Sequence, residues 1–319
     1  MRTSIGKLRY HGEGWALFGL VIVNALLTIV TLGIYSFWAK NKVREYHYAH
    51  TEFDNDPFVY HGTGRELFIG ALKASVIMVV LSLGLVAANE LARRGLVTRV
   101  TQLAIVGTVY LAIFLLMIIA VNGARRYRAS RSSWRGIRFS FHGRWHRFLG
   151  LILGGTLLSV VTLGFYTPWF QNKRRSFLVR NTRFGSEPFI YDGKGVTLFG
   201  EFVKTLILTI PTLGLSWIWY AAFRHRYVWG HTTMRGARFR SSVTGAELFA
   251  LRLTNALIVL LTAGIATPWA VTRSHAFWCS RLMLHGTVDW AAIERRAQTA
   301  TATAEGLAEG FDIEVGIAG

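Results

Sequence analysis

Three histidines, His11, His61 and His142, stand at equivalent places in the chain: Tyr10-His11-Gly12, Tyr60-His61-Gly62 and Phe141-His142-Gly143. Three imidazoles brought together could bind zinc. The same place later holds Asp192 and Ser242, and Ser is a poor zinc ligand. His, Asp and Ser share the ability to hydrogen-bond a turn or a helix N-terminus. The set therefore reads as turn or cap residues, with no metal expected. Glycine pairs follow at Gly12/Gly14, Gly62/Gly64 and Gly193/Gly195, between strand-like and helix-like stretches. That is the context of phosphate-binding loops, but the third Gly and the Lys-Ser/Thr ending are missing. A tight strand-to-helix turn is the simpler reading.

Cations give a sharper signal. Lys73 and Lys204, 131 residues apart, both lie at the start of apolar stretches. A Lys near the end of a membrane helix snorkels cheaply, whereas one inside usually serves function. Basic residues interleaved with aromatics recur after apolar stretches: Lys40, Lys42, Arg44 and Tyr46; Arg125, Arg126, Tyr127 and Arg128; Lys173, Arg174, Arg175 and Phe177; Arg224, Arg226, Tyr227 and Trp229. Such runs either anchor helices at the membrane interface or recognise an anionic headgroup or solute. The candidate anion site is therefore Lys73, Lys204, Lys42, Arg44, Lys173, Arg174, Arg175, Arg126 and Arg226. No nucleophile–base pair, metalloprotease motif or paired carboxylates stand out. Glu66, Glu201 and Glu247 read as helix-start residues, and neither an enzyme nor a cofactor is expected.

The elements that must position these residues are repeated. A shift of 131 residues lays Thr31-Leu32-Gly33 on Thr162-Leu163-Gly164 and Trp38 on Trp169; a further 100 adds Gly264 and Trp269. Matched positions mark duplicated units, here 1–123 with an extra membrane segment, 124–223, and a partial third unit, 224–286. Asn24 and Asn255 also correspond, and an amide within an apolar stretch usually joins helices. Period-2 stretches such as Phe139-Ser140-Phe141 predict short strands. Thr63-x-x-Glu66 and Thr244-x-x-Glu247 predict capping boxes.

Composition supplies the setting. The 319 residues are 52% hydrophobic and 13% aromatic, too apolar for an ordinary soluble domain. Apolar stretches at 15–39, 74–89, 103–121, 149–170, 205–223 and 253–271 approach the ~20 residues of a membrane helix. The first is followed by Lys40, Lys42 and Arg44 rather than a cleavage site, so it reads as a retained segment. Net charge is +19, or +23 over residues 1–286, because six acids gather in an acidic 287–319 tail read as flexible. Bases beside apolar segments suit anionic lipid better than nucleic acid. Cys279 is alone, so no disulfide framework exists.

Charge does not orient six simple spans, because Lys and Arg divide almost evenly between the two sides. Lys73 to Arg126 also holds 31 residues more than Lys204 to Arg226, enough for another span. Two arrangements follow. Either the repeats are inverted, or the Thr-Leu-Gly segments dip in and return while only 74–89 and 103–121 cross. The second is slightly favoured, since it gathers the strands on one cytoplasmic side.

Phe58-Val59-Tyr60-His61-Gly62-Thr63-Gly64-Arg65-Glu66-Leu67-Phe68 and Thr162-Leu163-Gly164-Phe165-Tyr166-Thr167-Pro168-Trp169 resemble the YjgN-like family of bacterial inner-membrane proteins. Glu305-Gly306-Leu307-Ala308-Glu309-Gly310-Phe311-Asp312 also looks like that family's ending. Phe37 in place of Pro and Ala266 in place of Tyr are departures. The resemblance implies an inner-membrane location and little about activity. The expectation is a mainly α, polytopic membrane protein with about six apolar helical segments, some re-entrant, and short aromatic strands at the membrane surface. Its function is expected to be binding or passing an anionic lipid or solute. The alternative is a scaffold docking a partner, such as a membrane-bound peptidase, through the sheet and acidic tail. A homo-oligomer fits the same composition.

Overall fold

The computed structural model describes residues 5–290, 292 and 293. Along these the order strand, helix, helix, strand occurs five times. The first module is β1 (Ile5–Tyr10), α1 (Gly14–Val30), α2 (Ser36–Ala49) and β2 (Thr51–Phe53). The second is β3 (Asp56–Tyr60), α3 (Gly64–Arg93), α4 (Arg99–Ser130) and β4 (Ser132–Trp134), and the third is β5 (Ile137–Phe141), α5 (Trp145–Val161), α6 (Thr167–Arg180) and β6 (Thr182–Phe184). In the fourth, β7 (Glu187–Pro188) and β8 (Ile190–Tyr191) precede α7 (Gly195–Thr209), α8 (Ser216–Gly230) and β9 (Thr232–Met234). The fifth is β10 (Ala237–Ser241), α9 (Gly245–Leu261), α10 (Thr267–Ser280) and β11 (Leu282–His285). This division is finer than boundaries at 123 and 223.

The strands pair antiparallel with their neighbours in the chain, and β1 pairs with β11. β7 and β8 are two parts of one extended segment around Phe189, whose backbone N–H bonds Thr182 O at 3.2 Å; β7 pairs with β6 and β8 with β9. The sheet is thus a barrel closed but for that interruption, which leaves almost no free edge. Alternation aims two layers of side chains inward. Phe53, Trp134, Phe184, Met234 and Leu284 are buried, and Leu8, Phe58, Phe139, Phe189 and Phe239 pack against them. Trp290 and Ile293 join this core, with the Trp290 ring edge-on to Trp134 at 4.8 Å. The first residues of the segment read as a flexible tail are therefore part of the barrel core, while 294–319, with the family-like ending, lie outside the described residues.

The ten helices form a closed ring, each packed on the next and α10 on α1. Both capping boxes form, at Thr63 with Glu66 and at Thr244 with Glu247. Glu201 departs from expectation: it lies in the second turn of α7 and pairs with Lys204 at 2.8 Å.

Four of the six apolar stretches are not single helices. Each bends at its Thr-Leu-Gly or Thr-Ala-Gly sequence, with Leu32, Leu163, Leu213 and Ala263 and the glycine after each at positive φ. At the first tip the N–H groups of Thr31 to Ser36 are all bonded, Leu32 to Ile29 O, Gly33 to Thr28 O, and Tyr35 to Thr31 Oγ1. Thr162, Thr212 and Thr262 accept the same bond from Tyr166, Ser216 and Ala266. The tip residues are nonetheless bare: Leu32 is 94% exposed, Leu163 89% and Leu213 93%. An apolar turn whose donors are all satisfied internally is the form that hydrocarbon demands. The first arms run 15 to 17 residues, about 25 Å at most, short of the ~30 Å of a bilayer core. The second module differs. α3 and α4, of 30 and 32 residues, are long and apolar enough to cross a membrane, and Glu90, Arg93, Arg94 and Arg99 surround their turn.

The glycine pairs prove to be packing sites. A Cβ on Gly14, Gly64, Gly195 or Gly245 would overlap the ring of Trp269, Trp38, Trp169 or Trp219, each from the preceding module. At the remaining junction the partners are exchanged in size, since Ile119 holds the Trp place and Trp145 the Gly place. The first glycine of each pair lies against the aromatic two residues earlier, Tyr10, Tyr60 or Tyr191.

Candidate anion-binding cavity

The returning helices α2, α4, α6, α8 and α10 carry a buried small or amide residue at one level: Asn41, Asn122, Asn172, Ala222 and Thr272. Asn122 and Asn172 each donate 2.8 Å to the carbonyl of the next module's glycine, Gly143 and Gly193. This fixes the helix against the strand-to-helix turn. Three residues on, nearly one turn, stand Arg44, Arg125, Arg175, His225 and His275.

Where α4, α6, α8 and α10 converge lies a cavity of about 480 Å³, in the size range of ligand sites. Arg125, Arg174, Arg175, Arg224 and Arg252 line it, and among the described residues no carboxylate does. Among the described residues none of these five is in an ion pair. Arg175 lies over the Trp229 ring at 5.2 Å, and Arg224 Nη1 donates to Gln171 Oε1 at 2.8 Å. Among the described residues the buried Nε groups of Arg125 and Arg175 have no partner. Burial, reinforced by Arg125 and Arg224, pushes the Arg175 guanidinium down from its ordinary pKa. Buried cations without counter-ions are costly, and an anion offsets that cost. Guanidinium groups match phosphate and carboxylate in particular.

His225 stays neutral beside them. Trp229 Nε1 donates to its Nε2 at 3.0 Å, so the ring proton sits on Nδ1, which donates to Ser241 Oγ at 2.9 Å. Burial, then Arg175, Arg224 and Arg226, lower its pKa to about 4. Across the ring closure, His47 stacks on His275 at 4.1 Å and shares a 2.8 Å hydrogen bond with the Tyr10 hydroxyl. Burial, then His275 and His50, lower His47 to about 4 as well. Both histidines gain protons in the unfolded chain near 6.5 but in the folded one only near 4. Stability is therefore flat above about pH 6.5 and falls as pH drops toward 4. Thermal melts in one detergent between about pH 7.5 and about pH 4.5 check this, and a His47→Gln, His225→Gln variant has a flatter profile.

The expected cations separate. Arg174 and Arg175 line the cavity. Lys204 and Arg226 meet elsewhere, in a cavity of about 590 Å³ between α7 and α8, where Arg226 also bonds Val243 O. Lys42 and Lys173 rest over the tip tyrosines Tyr35 and Tyr166. Arg44 reaches the Tyr60 hydroxyl at 3.5 Å. Lys73 and Arg126 are exposed on α3 and α4. The histidines sit on three separate junctions, with His11 bonded to Glu52 (3.1 Å) and His61 to Ser133 (2.8 Å), while His142 is exposed. Arg125 and Arg224 stood in runs read as interface anchors or anion-recognising residues but were not among the candidate site residues, and Arg252 was readable only as a helix-start residue. Their signal was the register three residues beyond the buried level for Arg125, and the flanking positions for the others.

A ring of helices over a near-closed barrel, two of the helices long and apolar enough to cross a membrane, defines a mainly helical protein of membrane type with an arginine-lined cavity in its ring. The chain belongs to the family described as "Bacterial protein of unknown function (DUF898)", which matches residues 6–216 and 201–310. It is 37% identical over 134 residues to "Inner membrane protein YjgN" of Salmonella typhimurium, covering 42% of this chain and 31% of that protein. It is 34% identical over 135 residues to the protein of the same name from Escherichia coli K12, covering 42% and 30%. The match thus spans less than a third of the length of these relatives. No solved structure matches the chain.

Proposed function

We propose that this is a non-enzymatic inner-membrane protein whose arginine cavity binds a phosphate- or carboxylate-bearing ligand. The observation that carries the reading is the lining itself: five arginines and, among the described residues, no carboxylate around one half-open cavity. In this reading α3 and α4 cross the bilayer, and the four shorter hairpins enter and return on their sealed apolar tips. The barrel, with Lys7, Arg9, Arg138 and Arg238 on its strands, lies on the cytoplasmic side, in keeping with the excess of cations there. The ring then holds its cations at the headgroup level, where anionic lipids concentrate.

An Arg175→Gln, Arg224→Gln variant tests this. Organic phosphate co-purifying with the protein falls to the level of an unrelated membrane protein, and retention equal to the parent overturns the reading.

A further inference from the structure

Beside the arginine cavity, between α9 and α10, runs a cleft of about 600 Å³. Its walls are mostly aliphatic: Leu248, Leu251, Ala256 and Val259 on α9, Ala270 and Val271 on α10. Arg252 and Trp278 belong to the linings of both spaces. The cleft has a direction. α9 starts at the barrel and ends at its tip, so from Arg252 to Val259 the lining advances about 10 Å away from the barrel. At mid-length Asn255 ties the arms together, its Nδ2 donating to Ala270 O (3.2 Å) and Ser274 Oγ (3.0 Å). Its buried Oδ1 has no partner among the described residues.

Toward the barrel the lining holds Arg252 and Trp278 beside Leu248 and Leu251, and past Asn255 toward the tip only Ala256, Val259, Ala270 and Val271, the polarity of a lipid in the barrel-side leaflet. We infer that the ligand of the arginine cavity is an acyl-chain lipid with an anionic phosphate headgroup, its chain lying in the α9–α10 cleft. This rests on the cavity reading and narrows it from anions in general to lipids. Trp278 marks the boundary between the two parts, as an indole does between polar and apolar surroundings. A soluble anion would use the arginines alone and leave the cleft without an occupant.

The test uses the full chain in vesicles with phosphatidylglycerol carrying a photoactivatable acyl chain. Crosslinks are expected on peptides of α9 and α10 that include Ala256 and Val271, competed by unlabelled phosphatidylglycerol and not by phosphatidylcholine. This map is read on the native chain, so it does not depend on a variant folding. Ala256→Trp, which fills the cleft, lowers the crosslink yield at least fivefold while glycerol phosphate still raises the melting temperature as in the parent. Crosslinks spread over the helix ring, or unchanged in A256W, overturn the cleft assignment and leave the cavity reading standing if glycerol phosphate stabilises the parent. Failure of both phosphatidylglycerol and glycerol phosphate to stabilise the parent removes the cavity reading itself.

Discussion

Arg175→Gln melts at a higher temperature than the parent when both are free of ligand, and at a lower one when ligand is saturating. Arg175 is partly buried, its Nε is unpartnered among the described residues, and its neighbours Arg125 and Arg224 have its own sign. An uncompensated buried charge costs on the order of 3–5 kcal/mol. Against this the substitution gives up the stacking on Trp229, worth about 0.5–2 kcal/mol. The desolvation and repulsion terms win, leaving a net gain of roughly 2 kcal/mol, or several degrees for a chain of this size. Ligand at about 100 times its dissociation constant adds about 2.7 kcal/mol to the parent and little to the variant. The crossing of the two melting curves, followed by tryptophan fluorescence, is the readout. An arginine with a purely structural role lowers the melting temperature in both states.

The module junctions carry the second large effect. Trp219 covers Gly245, and a Cβ there would overlap the indole. Gly245→Trp alone therefore forces overpacking that costs about 1–3 kcal/mol or more. Trp219 is 48% exposed, so Trp219→Ile alone loses its cover over Gly245 without leaving an enclosed void, at about 1 kcal/mol, below the range for fully buried exchanges. The double variant reproduces the pair Ile119 and Trp145 found where α4 meets α5. It is more stable than either single variant, with a coupling of about 2 kcal/mol in a double-mutant cycle. Additive losses refute the packing account of the glycine pairs.

Much of this architecture was legible. Phe139-Ser140-Phe141 alternates as a strand must, and Thr63 and Thr244 cap helices as their spacing requires. Hairpins turning at the Thr-Leu-Gly sequences belong to one of the two arrangements left open by the sequence, and a single near-closed barrel gathers the described strands at one end of the helix ring. Barrel closure was not legible, because strands such as Thr51–Phe53 and Thr182–Phe184 are too short to show a period. The five modules were hidden by their own irregularity. Tyr10 to Tyr60 and Tyr191 to Ser241 are 50 residues apart, whereas the long α3–α4 hairpin widens Tyr60 to Phe141, so a shift of 131 spans two modules. Lys73 and Lys204 attracted notice through their match, but matching positions do not say which helix face looks inward. The face that does is marked by Asn122 and Asn172, whose amides hold the next module's turn and set Arg125 and Arg175 toward the cavity. Trp290 was missed because the acidic residues after it dominate the composition of the tail.

The central claim is that the arginine cavity holds an anionic group. A single-particle reconstruction of the full chain in nanodiscs made from its native membrane lipids tests it most directly. The account predicts density for a phosphate or carboxylate within hydrogen-bonding distance of the Arg175 and Arg224 guanidinium groups, absent from the R175Q/R224Q variant. A cavity holding only water in the parent, indistinguishable from that of the variant, would contradict it.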